Sequence, residues 1–218
     1  MILMKPIEVC KICFKDIKYI SYRHLIFNKL LICDSCFDKL QIQIERFSIE
    51  GSKGISIYHY DEMIRELLFK LKGCYDIELA PIFLHSVARI LHIKYLRYEI
   101  VPIPSWHEDD LKRGFNHVEE IFKVLKLPIN KVLYKMENLK QATSSKNERT
   151  LMIDNLGIKD DKNIKGKNIL LVDDVTTTGS SLKGAIRLLK KSGIKNIKIL
   201  VMARNQNQGK TNYAIEDG

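Results

Sequence analysis

The stretch ILLVDDVTTTGSS, residues 169–181, constrains this chain more than any other part of it. Four apolar residues run into two adjacent carboxylates, Asp173 and Asp174, and then into a polar segment with one glycine. A continuous apolar run closed by turn residues is the pattern of a strand buried on both faces. From Ser180 the spacing turns helical, with Leu182, Ala185, Ile186 and Leu189 on one side and Gly193 as the stop. In open sheets built of such units, ligands bind beyond the carboxyl ends of the strands. The backbone N–H groups of Val175 to Ser181, with the positive end of the helix behind them, suit a phosphate. Gly179 allows close backbone approach, and Thr176, Thr177, Thr178, Ser180 and Ser181 offer hydroxyl donors. A ribose 5-phosphate meets both demands, its phosphate in the loop and its 2- and 3-hydroxyls donating to the acids.

Three other readings compete. A receiver domain also has paired acids after a strand, but its phosphoacceptor lies a whole βαβ unit later, and only about 45 residues remain here. A Walker A loop is suggested by Gly209-Lys210-Thr211, yet the first glycine of that motif would fall on Arg204 and no helical pattern follows. An ordinary threonine-rich turn after buried acids leaves two costly carboxylates at a strand end without a partner.

Elsewhere strands and helices continue to alternate. Residues 55–60 are β-prone and lead through Asp61, an N-cap, into a helix with Ile64, Leu67, Leu68 and Leu71 inward and Gly73 at its end. A second helical pattern covers residues 77–91, and YEIVPIP reads as a buried strand stopped by its prolines. Residues 116–126 are helical with Val118, Ile121, Phe122 and Leu125 on one face, and residues 197–202 form a last strand. Residues 137–150 are polar without periodicity and read as a mobile loop. The expected class is α/β, a parallel sheet flanked by helices. Gly51-Ser-Lys-Gly54 reads as a linker, dividing the chain into residues 1–50, residues 51–204 and a polar, disordered tail 205–218.

Four of the five cysteines fall as Cys10-x2-Cys13 and Cys33-x2-Cys36, the spacing of a tetrahedral four-thiolate zinc site. With four sulfur ligands no open position remains, so the metal is expected to be structural. Residues 1–50 alone are too few to hold a core by apolar burial, and a metal staple answers that need. Lysines and aromatics around the cysteines, among them Lys11, Phe14 and Tyr19, have the character of a single-strand binding surface or of a small core.

The net charge of +10 points to a polyanionic partner. Lysines outnumber arginines 27 to 9, a bias that base composition of the gene can also produce. No run of 18 apolar residues exists, and the first ten residues lack a secretory apolar core, so no membrane insertion and a cytoplasmic location are expected.

LLVDDVTTTGSSL resembles the phosphate-binding motif of the type I phosphoribosyltransferases, which bind 5-phospho-α-D-ribosyl 1-diphosphate (PRPP). Together with the cysteine pairs, VPIPSWHEDDLKRGFNHVEEI and QATSSKNERTLMIDN, it makes the chain similar to the ComF proteins of bacterial natural competence from Cys10 to about Ala203. The resemblance implies a type I phosphoribosyltransferase-like domain behind a four-cysteine zinc module. It implies that Asp173 and Asp174 hold the ribose with Mg2+ nearby, and that Val175, Thr176, Thr177, Thr178, Gly179, Ser180 and Ser181 hold the 5-phosphate. Pro104 and Ser105 would form the turn beside the diphosphate, reached by Arg113, Lys135, Lys146 and Arg149, the last of them catalytic with the two acids. Single-stranded DNA, PRPP and other competence or recombination proteins are the partners it implies. A metabolic phosphoribosyltransferase and a zinc-knuckle nucleic-acid adaptor with a vestigial sugar-phosphate site are the alternatives.

Overall fold

The computed structural model describes residues 8–17, 31–135, 152–153, 156–159 and 161–205. In chain order β1 (Glu8–Val9) and β2 (Asp16–Ile17) form a small hairpin, followed by α1 (Asp34–Lys39). Then come β3 (Glu45–Ile49), β4 (Ser52–His59), α2 (Glu62–Gly73), a 3-10 segment (Ile77–Phe83), α3 (Ala88–Lys94), β5 (Glu99–Pro102), α4 (His107–Arg113) and α5 (His117–Lys123). The remainder is β6 (Leu133–Lys135), β7 (Met152–Ile153), β8 (Leu156–Ile158), a 3-10 turn (Asp161–Asn163), β9 (Asn168–Thr176), α6 (Ser180–Lys191) and β10 (Asn196–Arg204).

The main sheet has the order β3-β4-β10-β9-β5. β4, β10, β9 and β5 are parallel, and β3 joins the edge antiparallel. On β9 the side chains alternate between two cores. Leu170 and Val172 join the cluster that holds Leu67, Leu71, Phe83 and Phe122 from α2, the 3-10 segment and α5. Ile169 and Leu171 join the cluster that holds Leu182, Ala185, Ile186 and Leu189 from α6. All four strand residues are fully buried, at about 1.5–3 kcal/mol for each such side chain. This double burial fixes the register of β9 and so the height at which its acids emerge.

α2 begins where the sequence predicts, with the Asp61 side chain accepting from the Ile64 N–H at 2.8 Å. The predicted helix over residues 77–91 is instead a 3-10 segment and the short α3. Pro81 lies inside the first piece, where it has no N–H to give and crowds the preceding turn. The predicted linker is also corrected. Glu50 (φ +51°) and Gly51 (φ +72°) form the two-residue turn of the β3–β4 hairpin, as left-handed residues do in tight hairpins. Gly54 lies within β4, where the Phe47 ring of β3 packs against it and would stand 2.7 Å from an added Cβ. A further three-stranded antiparallel sheet, β6-β8-β7, has no counterpart in the sequence reading.

The cysteine segment shares the main core. Cys10, Leu31, Ile32, Cys36 and Leu40 belong to the same cluster as Tyr58, Leu79 and Ile82. Lys11 pairs with Glu78 across the junction.

Candidate functional site

The double burial of β9 brings Asp173 and Asp174 to the carboxyl end of the sheet, where they are 9% and 6% exposed. As neighbours on a strand they face opposite sides. The Asp174 N–H donates to Asp173 Oδ1 at 3.0 Å. Asp174 itself meets the Lys72 ammonium from the last turn of α2, and His117 Nε2 from the first turn of α5 at 3.3 Å. Burial pushes the Asp173 carboxyl well above its ordinary value, and the charge of Asp174 adds to the effect. Burial acts on Asp174 in the same sense, but the His117 hydrogen bond and the Lys72 ammonium outweigh it and hold that carboxyl below the ordinary range. The environments thus drive two adjacent acids apart, one toward the protonated form and one toward the ionised form.

Beyond the acids the chain passes Thr176, whose carbonyl accepts from the Asn205 N–H at 3.1 Å, and the exposed Thr177 and Thr178. Gly179 turns the chain at φ +70°, a conformation costly for residues with a Cβ. Ile49 of β3 lies against it, 2.8 Å from where a Cβ would stand. α6 then starts at Ser180, and no side chain caps its first N–H groups. Its uncapped amides and the exposed hydroxyls of Ser180 and Ser181 make this turn suited to an anion.

The turn after β5 stands alongside, because β5 pairs with β9 and the Ile103 N–H donates to the Val172 carbonyl at 2.8 Å. That bond occupies one backbone donor of the segment. Pro104 and Ser105 follow, both half-buried. Ser105 Oγ donates to Asp110 Oδ1 at 2.6 Å, and Asn116 Nδ2 donates to Asp110 Oδ2 at 2.8 Å. Arg113 Nη1 donates to Asp110 Oδ1 at 2.9 Å, lies 3.1 Å from His117 Nδ1, and its Nε donates to the Lys72 carbonyl at 3.3 Å. One polar chain therefore runs from the Ser105 turn through Asp110, Arg113 and His117 to Asp174. The Lys135 ammonium sits 5.2 Å from the ring centroid of Trp106, which brings the small sheet next to the same turn. Lys146 and Arg149 lie outside the described residues.

The sequence reading missed Lys72, Asp110, Asn116 and His117. Three of them stand in the VPIPSWHEDDLKRGFNHVEEI stretch, where Asn116 is legible as a helix cap, and it does accept from the Glu119 N–H at 2.9 Å. Nothing local in the sequence ties Lys72 or His117 to an acid on another strand.

The four cysteines meet at one point. Cys10 follows β1, and the turn after it closes with the Phe14 N–H donating to the Cys10 carbonyl at 2.8 Å. Cys33 stands at the N-cap of α1 and Cys36 lies within that helix. Their sulfur atoms all lie within 4.8 Å of one another, with Cys13 and Cys33 Sγ 3.7 Å apart. A tetrahedron with metal–sulfur bonds of about 2.3 Å has edges of about 3.8 Å, so the set is placed to hold one metal ion. Burial opposes ionisation of Cys10, but backbone amides of Cys13, Cys33 and Ile12 overcome it and bring the thiol down to about 7. Burial and the neighbouring cysteines push Cys36 up.

The Phosphoribosyl transferase domain family matches residues 111–216, which include β9, the loop and α6. Competence protein ComFC of Bacillus subtilis is 30% identical over 207 residues, spanning 88% of this chain and 82% of that protein. The chain belongs to the ComF family. ComFC of Streptococcus pneumoniae is 26% identical over 89% of this chain and 99% of its own length, and competence protein F of Haemophilus influenzae is 26% identical over 90% of both. The ComF relatives match 88–90% of the chain, which joins a phosphoribosyltransferase-like sheet to the cysteine cluster packed on it. Among the described residues no helix is long and apolar enough to cross a membrane.

Proposed function

We propose that this ComF-family chain binds PRPP with Mg2+ at the end of β9 and handles incoming single-stranded DNA in the cytoplasm during natural transformation. The observation that carries the PRPP half is the union of two buried acids, the left-handed Gly179 and the uncapped start of α6 on one strand–loop–helix unit. In this reading the 5-phosphate lies on the amides and hydroxyls of Val175 to Ser181, and Asp173 and Asp174 take the ribose hydroxyls. The diphosphate lies toward Pro104 and Ser105, with Arg113, Lys135, Lys146 and Arg149 as the cations assigned to it. Mg2+ usually takes one or two carboxylates and completes its shell with phosphate oxygens and water, which the buried acid pair fits, and it would neutralise the diphosphate. The four-cysteine set suits Zn2+, whose tetrahedral thiolate geometry matches the sulfur spacing, in a structural role.

Support for the DNA half is the competence naming of the relatives and the chain's net charge of +10. The test is a titration of zinc-loaded protein with PRPP and Mg2+, read as a thermal shift, with and without a single-stranded oligonucleotide. Wild type should shift with PRPP, and Asp173→Asn with Asp174→Asn should abolish the shift. A wild type that does not respond to PRPP at millimolar concentration overturns the PRPP half. Release of diphosphate on adding a small base or amine would favour a metabolic transferase instead.

A further inference from the structure

The positive charge of the chain is unevenly placed. Residues 162–205 carry ten lysines and arginines against two acids, Asp173 and Asp174, so that +8 of the net +10 falls in this one stretch. From Val175 to Asn205 there is no aspartate or glutamate. Lysines occur along the whole chain, and what sets this stretch apart is how few acids accompany them.

The structure gathers much of it on one face. α6 turns Leu182, Ala185, Ile186, Leu188 and Leu189 into the core and leaves Lys183, Arg187, Lys190 and Lys191 exposed, at helical spacing. Successive turns of that stripe stand about 6 Å apart along the helix axis. That is close to the stretch between neighbouring phosphates of an extended single strand. At the far end of α6 two turns come together. The Gly166 N–H donates to the Gly193 carbonyl at 2.9 Å, and the Lys195 N–H to the Lys167 carbonyl at 2.8 Å. Exposed Lys165 and Lys195 therefore stand near Lys190 and Lys191. Two acids are paired here: Glu50 with Arg187 at 2.8 Å and Glu99 with Lys167 at 2.8 Å. Lys190 Nζ donates to the Glu50 backbone carbonyl.

We propose that the outward face of α6 and the lysine-bearing turns at its far end form the surface on which single-stranded nucleic acid lies. The inference rests on the DNA-handling half of the proposed function and assigns it a face. Lysine ammoniums at this spacing grip phosphates as point charges and read no base. The stripe is narrow and linear, which fits a strand rather than a sheet of headgroups. Among the described residues from Lys162 to Asn205 no large apolar side chain is exposed, so this face has nothing to insert into a lipid surface. Lys183 stands one turn beyond Gly179, its N–H donating to the Gly179 carbonyl at 2.8 Å, so a strand laid along α6 ends beside the phosphate loop.

The experiment is fluorescence anisotropy of zinc-loaded full-length protein with a labelled oligothymidine of about 20 nucleotides, over a salt series. A Lys183→Gln, Lys190→Gln, Lys191→Gln triple variant is compared with Lys112→Gln, Lys123→Gln, Lys126→Gln, which removes three exposed lysines from α4 and the region of α5. Each phosphate contact on a single strand contributes about 0.7 to the slope of log K against log salt. The α6 variant should lower that slope by about 2 and weaken binding at least tenfold at about 0.1 M salt, with its melting temperature unchanged. The control should keep the wild-type slope. Equal behaviour of the two variants, or an unchanged slope in the first, overturns the assignment while leaving DNA handling intact. Failure of wild type to bind the oligonucleotide overturns the DNA-handling reading and this face with it, and the PRPP thermal shift is unaffected by either result. Wild-type binding to phosphatidylserine vesicles that the oligonucleotide does not compete away overturns it in favour of a membrane surface.

Discussion

Asp173→Asn is expected to stabilise the protein while abolishing its sugar-phosphate site. The side chain is 9% exposed, and burial is the largest influence raising its carboxyl, followed by the charge of Asp174. An aspartate in the unfolded chain ionises near pH ~3.9. Folding at pH 7 must therefore return a proton to Asp173 or bury a second negative charge. Each pH unit above the unfolded value costs at most about 1.4 kcal/mol, which sets a ceiling of about 4 kcal/mol at pH 7. The Lys72 ammonium offsets part of it. Asparagine has the same shape, carries no charge, and its Oδ1 can still accept from the Asp174 N–H. A gain of about 1–3 kcal/mol at neutral pH follows, or roughly 2–12 °C in Tm for a chain of this size. A raised folded-state value in an acid means that stability falls as pH climbs from the unfolded value toward the folded one. The advantage of asparagine therefore grows as pH rises above the unfolded value and fades as pH falls toward and below it, where the unfolded chain holds the proton as well. Urea unfolding of zinc-loaded protein at pH 7.5 and pH 4.5, without PRPP or Mg2+, measures it. A loss of stability at pH 7.5, or an equal gain at both pH values, would refute the reasoning.

Lys72→Met should cost about 1 kcal/mol at pH 7, a reduced figure because the lysine side chain is 35% exposed. Asp174 is held below its ordinary range, so this contribution is present above pH ~3.9 and disappears as pH falls beneath it, as paired chemical denaturations will reveal. Gly179→Ala places a Cβ at φ +70° and against Ile49, and should cost about 1–2 kcal/mol and weaken PRPP binding in calorimetry. Ile49→Ala in the same chain should recover only the steric share. Cys13→Ser, or a zinc chelator on wild type, should lower Tm by an amount equivalent to more than about 3 kcal/mol, and the chelator should then have little effect on the variant.

What the sequence made legible was local. The β9–loop–α6 unit could be read because an apolar run and a helical period are properties of neighbours, and α6 has the bounds that the spacing predicts. The cysteine cluster was legible because paired knuckles announce a shared centre by spacing alone. Asp174's partners were not, since Lys72 and His117 come from two helices whose packing against β9 decides the contact. The β3–β4 hairpin was hidden because its glycines look like breakers until Phe47 is seen lying over Gly54. The short strands β6 and β8 leave too few residues to display a period, and their pairing is set by tertiary register, with the Tyr134 ring against Gly157.

The place of β10 has a consequence for how the molecule is made. It stands between β4 and β9 and is the last strand of the sheet to leave the ribosome. Until residues 196–204 emerge, the β3–β4 hairpin and the β5–β9 pair are two separate ribbons, each with an open edge. Synthesis must carry two incomplete half-sheets until β10 has been made, and long-range parallel pairing of this kind is slow and exposed to aggregation. A ribosome that stops short of β10 would release a chain whose acid-bearing strand has no neighbour on one side, which makes premature termination in the last tenth of the described chain as damaging as loss of the site itself.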